Sequence, residues 1–256
     1  MAQLRELIHV SGADALSYLQ GQLSADVLSG PGSRWSLLLE PNGKLGWLLL
    51  VNVGEGRATI SIEAGQAEAV LARLRRFMLR TDATYELEQV RVQRARLTGE
   101  APEGAWVHRW CGVDLVDHFA EAEATSDEDE AALRIGLGLP SNDHDLSEEL
   151  FASALGPEAL ASSSSGAKGC YVGQELVART TSRSATAPIV LVRVAGNGAT
   201  PAPGAALRGD GGEELGEVTT VVGDGSTWRA LARLRRAGLG AALACDGIPV
   251  SAETLS

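Results

Sequence analysis

The pattern of the chain changes near Arg183, and that change limits the fold more than any other feature. Beyond it come short β-type runs, Ile189–Val194, Glu217–Val222, Trp228–Leu234 and Ala241–Cys245, separated by N-G, D-G-G, G-D-G and D-G. Such a run of strands and glycine turns reads as a small antiparallel barrel or sandwich over 184–256. The part before it, 1–183, mixes two periods. Ile8–Val10 reads as a short strand, and Ser11 or Asp14 could cap a helix through about Gln20 that Gly21 ends. Trp35–Leu39 and Leu45–Val51 flank P-N-G-K, a hairpin signal because Asn-Gly tolerates positive φ at both turn centres. Ala58–Glu63 gives a further strand. Gln66–Arg80 is predicted helical, with Ala67, Val70, Leu71, Leu74, Phe77 and Met78 at helical spacing. Thr84–Leu97 alternates as a strand, so the class is α+β, a helix packed on an antiparallel sheet. Farther on, Ser126 before D-E-D-E marks a helix start with acids in its first turn, and Leu146–Leu155 reads as a helix closed by Gly156.

Composition excludes several function classes. With 256 residues and 45% apolar content the chain can bury a large core. No apolar run is long enough to cross a bilayer, and the N-terminus lacks a secretory pattern. Cys111, Cys170 and Cys245 lie far apart with no C-x-x-C, which suggests a reduced, cytoplasmic protein. The net charge of −11 disfavours direct nucleic-acid binding. Arginines cluster locally, at Arg73, Arg75, Arg76 and Arg80 for example, mainly as solvated faces, with a basic rim for an anionic ligand as the minority reading. The four histidines show no metal-ligand spacing, and no metal is expected.

Chemistry concentrates in Lys168–Arg179, K-G-C-Y-V-G-Q-E-L-V-A-R, after the serine run Ser162–Ser165. The expected geometry is a glycine-bearing turn feeding a helix that continues through Arg179. Gly169 and Gly173 allow positive φ or close approach to a ligand, and the helix start offers unpaired N–H groups to an electron-rich one. Cys170, two residues after Lys168, is expected to ionise more readily than a free thiol. Packing alone would read this as a glycine turn with a buried Cys. Against that stand so many unlike polar groups within eight residues. Only two lysines occur against twenty arginines, so Lys168 marks a place for a compact ammonium rather than a planar fork. For Tyr171 and Gln174, ligand contact and loop packing are equal readings, whereas packing is the expected role of Cys111 and Cys245.

The octet resembles a known signature. K-G-C-Y-x-G-Q-E followed by x-V-A-R is the hallmark of the YgfZ-type folate-binding proteins, relatives of the glycine-cleavage T-protein (an aminomethyltransferase) that support iron–sulfur enzymes. V-S-G-A-D-A-L-S-Y-L-Q-G-Q-L-S-A-D-V resembles the same family's opening, and R-I-G-L-G-L-P, Arg134–Pro140, its R-I-x-x-G-x-P segment. The resemblance implies two interleaved ferredoxin-like α+β lobes around a central channel, dividing near 80–100, plus the C-terminal barrel. It implies tetrahydrofolate or a derivative as ligand, with Gly169, Tyr171, Gly173, Gln174, Glu175, Arg179 and Arg134 as binding residues and Cys170 with Lys168 as the reactive pair. Iron–sulfur client enzymes are the implied partners, with tRNA modification reached indirectly through a client. The oligomeric state is left open.

Transfer chemistry needs an ionisable group at the folate nitrogen. T-proteins carry an aspartate just after the first hairpin turn, where this chain reads Gly43–Leu50, and a glutamate in the R-I-x-x-G segment, where it has Gly136. Both carboxylates are missing, which fits the non-transferase branch. The aromatic-Thr pair common before K-G-C-Y is Gly166-Ala167 here, and the R-G after the helix is Arg183-Ser184. The leading expectation is an accessory protein for assembly, repair or maintenance of iron–sulfur enzymes. The alternatives are an aminomethyl- or methyltransferase whose base is supplied from elsewhere, for example by Asp26 or Asp82, and a scaffold that has lost its ligand.

Overall fold

The N-terminal strands have two faces, and over Gly32–Leu39, Leu45–Val53 and Arg57–Glu63 both are largely covered, whereas most of Thr84–Arg96 is exposed. A computed structural model describes residues 3–119, 127–177 and 187–255. Seven strands form one antiparallel sheet: β1 (Gln3–Ser11), β2 (Gly32–Leu39), β3 (Leu45–Val53), β4 (Arg57–Glu63), β5 (Thr84–Arg96), β6 (Trp106–Trp110) and β7 (Val113–Phe119). Their order is β2-β3-β4-β1-β5-β7-β6. On one face Ile8, Val10, Leu49, Val51, Ile60 and Ile62 pack against Leu19 of helix α1 (Ala15–Gln22) and Val70, Leu71 and Leu74 of α2 (Ala67–Arg75). Each such buried side chain contributes about 1.5–3 kcal/mol.

The other face is concave. Trp35 on edge strand β2 meets His108 and Trp110 on the opposite edge strand β6, with ring centroids 5.4 Å apart in each pair. The sheet therefore curls until its two edges touch. Leu37, Leu48, Leu50 and Leu115 line the inside, and Ile135 and Leu137 of α3 (Asp127–Leu137) and Ala159 of α4 (Pro157–Ser163) pack there. One sheet runs through this part of the chain, because β1 pairs with β4 on one side and β5 on the other.

The C-terminal region is a closed antiparallel barrel, as its short runs foretold. It consists of β8 (Ile189–Asn197), β9 (Ala206–Arg208), β10 (Glu214–Gly223), β11 (Thr227–Arg235), β12 (Leu243–Cys245) and β13 (Ile248–Thr254), in the order β10-β11-β8-β13-β12-β9. The three-residue β9, too short to register as a run, closes the barrel by pairing with β10 and β12. Asp145 ties barrel to body. Its Oδ1 accepts from the hydroxyls of Thr219 (2.5 Å) and Thr220 (2.8 Å), while its Oδ2 accepts from Arg134 Nη2 (2.8 Å) and the Ser141 amide (2.7 Å).

Four local expectations are corrected. Gly21 lies inside α1 instead of ending it. Helix α2 stops at Arg75 rather than Arg80, and Arg80 takes a φ of 55°. Only Gly43 has positive φ in the hairpin turn, because Asn42 Oδ1 instead accepts the Lys44 amide, a local side-chain turn. Leu146–Leu155 is not one helix. Leu150 O accepts the Leu45 amide and Phe151 bridges to Lys44, so the segment bonds to β3 and leaves only a 3₁₀ turn, Ala152–Leu155. Gly156 closes that 3₁₀ turn and at once precedes a helix the sequence reading did not contain, α4, with Pro157 in its first turn. Ser126, Arg179 and the Arg183-Ser184 boundary lie outside the described residues.

Candidate functional site at the hairpin turn

The signature loop lies along the segment joining α1 to β2. The Ser165 amide donates to Ser24 O and the Val172 amide to Gly21 O. Lys168 then turns inward. Its ammonium donates to the carbonyls of Gln20 (2.6 Å), Leu23 and Ala25 (3.0 Å), at and just beyond the C-terminus of α1. Three converging acceptors suit a pyramidal ammonium with three donors, and a planar guanidinium could not reach all of them. The same Nζ sits 5.0 Å from the Tyr171 ring centroid. Burial pushes the Lys168 pKa down to about 8, with Asp26 opposing. The lysine thus holds the floor of the loop, and its described bonds do not go to Cys170. That thiol is exposed.

Tyr171 is half-buried, and burial pushes its phenol pKa up. Gln174 Oε1 accepts the Tyr171 amide at 3.2 Å, so one end of this side chain braces the turn from which residues 174–177 become helical. Gly173 has a φ of 84°, and a methyl group there would lie 2.7 Å from Glu40 O and 2.8 Å from Leu39 Cβ. Gly43 has a φ of 77°, and a methyl group there would lie 2.5 Å from Leu176 Cβ. Two glycines therefore let the hairpin turn and the signature loop touch. Gly169 has open space around its Cα. A cleft of about 360 Å³ opens between them, lined by Pro41, Asn42, Gly43, Tyr171, Gly173, Gln174, Glu175 and Leu176. Arg73, buried in α2, braces the hairpin from below through Leu39 O and Gln22, with Glu40 at 3.6 Å.

Arg134 is elsewhere. Its guanidinium bonds Asp145 and Leu139 O, which makes it part of the junction with the barrel. Of the two candidate bases, Asp26 Oδ1 accepts from Gln20 Nε2 and the Leu28 amide, and the Asp82 amide is held by Asp14. Cys245 is buried, and burial raises the thiol pKa of both Cys111 and Cys245.

A buried polar strip on the concave face escaped the sequence reading. Arg94 makes two 2.7 Å bonds to Asp117, and Asp117 Oδ1 lies 3.1 Å from His108 Nε2. Trp35 Nε1 donates to His108 Nδ1 at 3.1 Å, so the imidazole proton must sit on Nε2 and be donated to Asp117. Burial lowers the His108 pKa, against its bond to Asp117. Burial alone would raise the Asp117 carboxyl, but Arg94 more than offsets it and holds the group well below the carboxylate range. Arg5 pairs with Glu63 at 3.3 Å, and burial pushes the Glu130 carboxyl up despite Arg94 and Arg5. A strand-period signal existed, since Val90, Val92 and Arg94 share one face of β5. Among the described residues no cluster of metal-binding side chains occurs, and no helix is long and apolar enough to cross a membrane.

Comparison with known proteins agrees with this architecture. Residues 190–256 match the CAF17 C-terminal β-barrel domain. An uncharacterized protein of Haemophilus influenzae is 26% identical over 190 residues, 70% of this chain and 67% of that protein. The crystal structure of glycine cleavage system aminomethyltransferase T from Bartonella henselae superposes with a TM-score of 0.74 at 18% identity, over 98% of this chain and 83% of that one. The chain thus carries a CAF17-type barrel domain over residues 190–256 and, over nearly its whole length, the fold of aminomethyltransferase T.

Proposed function

We propose that this protein is a folate-binding accessory factor for iron–sulfur enzymes, with the cleft between the hairpin turn and the signature loop as its site. The observation that carries the reading is the reciprocal fit of Gly43 and Gly173, which leaves a cleft lined by Tyr171, the residue that follows the exposed Cys170 in the chain. The donor set suits a reduced pteridine: the Tyr171 ring, the Gln174 amide group and the Glu175 carboxylate all stand on the cleft wall. Bound tetrahydrofolate would supply a reduced pteridine able to carry one-carbon units. Lys168 keeps the loop on α1, Tyr171 offers a ring face, and Gln174 and Glu175 read a polar ring edge. Cys170 is the reactive thiol next to Tyr171.

Aminomethyl transfer is less well supported. The strand after the hairpin turn places Leu45, Leu48 and Leu50 in the core, and the nearby carboxylates of Glu63 and Asp117 are paired with Arg5 and Arg94. Neither is free to act as a base. The test is Cys170→Ala, in cells where this chain is the only copy. Iron–sulfur enzyme activity is expected to fall to the level of the deletion, with stability changed by no more than about 0.5 kcal/mol because the position is exposed. Undiminished activity would exclude the thiol.

A further inference from the structure

The segment after α2 is built against the usual preferences of a surface. Arg76-Phe77-Met78-Leu79-Arg80 leaves the helix and turns outward, with Leu79 83% exposed and Phe77 40% exposed. Arg80 adopts the left-handed region that a residue with a side chain disfavours. Phe77 is nevertheless not loose, because the buried Arg73 guanidinium lies 4.7 Å from its ring centroid. Arg75, Arg76 and Arg80 are all exposed around these two apolar side chains. An aromatic ring among three arginines, partly held in place before any contact, is what centres of protein interfaces use, and Leu79 adds apolar area beside it.

We infer that this turn docks a partner protein that presents an apolar notch rimmed by carboxylates. The charge chooses the partner: the turn is basic on a chain whose net charge is −11, so it attracts an acidic rim while the rest of the surface repels bulk polyanions. A lipid surface fits poorly, since even a single myristoyl chain gives only marginal binding and two side chains bury less. Nucleic acid fits poorly too, because one face of the Phe77 ring is already covered by the Arg73 guanidinium and the most exposed side chain, Leu79, offers neither a stacking face nor a hydrogen bond. The turn also adjoins the signature loop. Arg76 reaches Glu40 at 3.4 Å and Arg73 bonds Leu39 O, while Gly173 packs against those same two residues from the other side. A partner seated on the turn is therefore next to the loop that carries Cys170. Identifying that partner as an iron–sulfur enzyme rests on the function proposed above; the docking surface does not.

The test places a photo-crosslinking amino acid at position 79 of the full chain in cells, with the exposed Val107 on β6 as control position. Adducts identified by mass spectrometry are expected to be an iron–sulfur protein, about tenfold more abundant from position 79 than from 107, and lost when Arg76→Glu and Arg80→Glu are combined. Binding of that protein, once purified, is expected to weaken at least about tenfold in the Leu79→Asp variant, whose melting curve stays unchanged. Equal adduct yields from both positions, adducts only to RNA or lipid, or adducts to a second copy of this chain would overturn the proposal. Cys170→Ala separates the two ideas. If that variant keeps client activity while the position-79 adduct persists, the role given to the thiol fails and the docking surface stands; if deleting the chain leaves client activity unchanged while the adduct persists, the accessory reading itself fails.

Discussion

Gly173 and Gly43 each occupy a place where a methyl group would collide with backbone or with Leu176, and both have positive φ. Gly173→Ala and Gly43→Ala are each expected to destabilise by about 1–3 kcal/mol, and to open the cleft, through strain plus overlap. Chemical denaturation measures the loss, and Gly169→Ala, with open space around it, serves as the near-neutral control. Lys168 makes a similar case. Removing its ammonium in Lys168→Met strands three carbonyls at the end of α1, an expected loss of about 1–3 kcal/mol that Lys168→Arg does not recover. The scarcity of lysine made a compact ammonium legible in the sequence. Its target was not legible, because the acceptors are main-chain carbonyls some 140 residues away in sequence.

At the scale of elements, the curled sheet is pinned where β2 meets β6. The pin is the chain of bonds Trp35–His108–Asp117–Arg94, with Arg5 and Glu130 as further charges facing it. A protonated His108 would set an N–H donor against the Trp35 N–H donor. Because the folded pKa of His108 is depressed, the unfolded chain takes up the proton first. The contribution is therefore complete above pH about 6.5 and lost as the pH falls below it. Asp117 titrates later: its carboxylate contribution is present above pH about 3.9 and disappears only below that. Melting temperature followed from pH 7.5 to 5 is expected to fall in the unmodified protein. Trp35→Phe frees Nδ1, so it should flatten that fall while costing about 1 kcal/mol at neutral pH. Asp117→Asn leaves Arg94 buried without its anion and is expected to cost about 3–5 kcal/mol. Periodicity identified β2 to β5 closely, because their apolar alternation is local. It overran α2 by five residues and made a helix of Leu146–Leu155, since in both places the deciding contacts are distant: the outward turn at Arg80, and the bonds of Leu150 and Phe151 to β3.

For the molecule as a whole, barrel and body share a core through Leu191, Leu231 and Leu255 and share one carboxylate, Asp145. The unmodified protein is expected to melt in one calorimetric transition and Asp145→Ala in two, because the substitution removes the carboxylate that Arg134, Thr219 and Thr220 share at the junction and leaves the buried Arg134 charge uncompensated. The barrel was legible from its short runs and glycine turns, and so was the signature loop from its density of polar groups. The union of that loop with the hairpin turn was not. Pro41–Gly43 and Gly173–Leu176 are some 130 residues apart, and only the tertiary fold brings them to one cleft. The claim that a pteridine sits there is tested most directly by a crystal structure of the full chain soaked with tetrahydrofolate. The expected result is ring density against Tyr171 and Gln174, with the Cys170 sulfur within reach of the ligand. Ring density elsewhere, such as along the Arg5–Glu63 and Arg94–Asp117 strip, or an empty cleft at saturating ligand would contradict it.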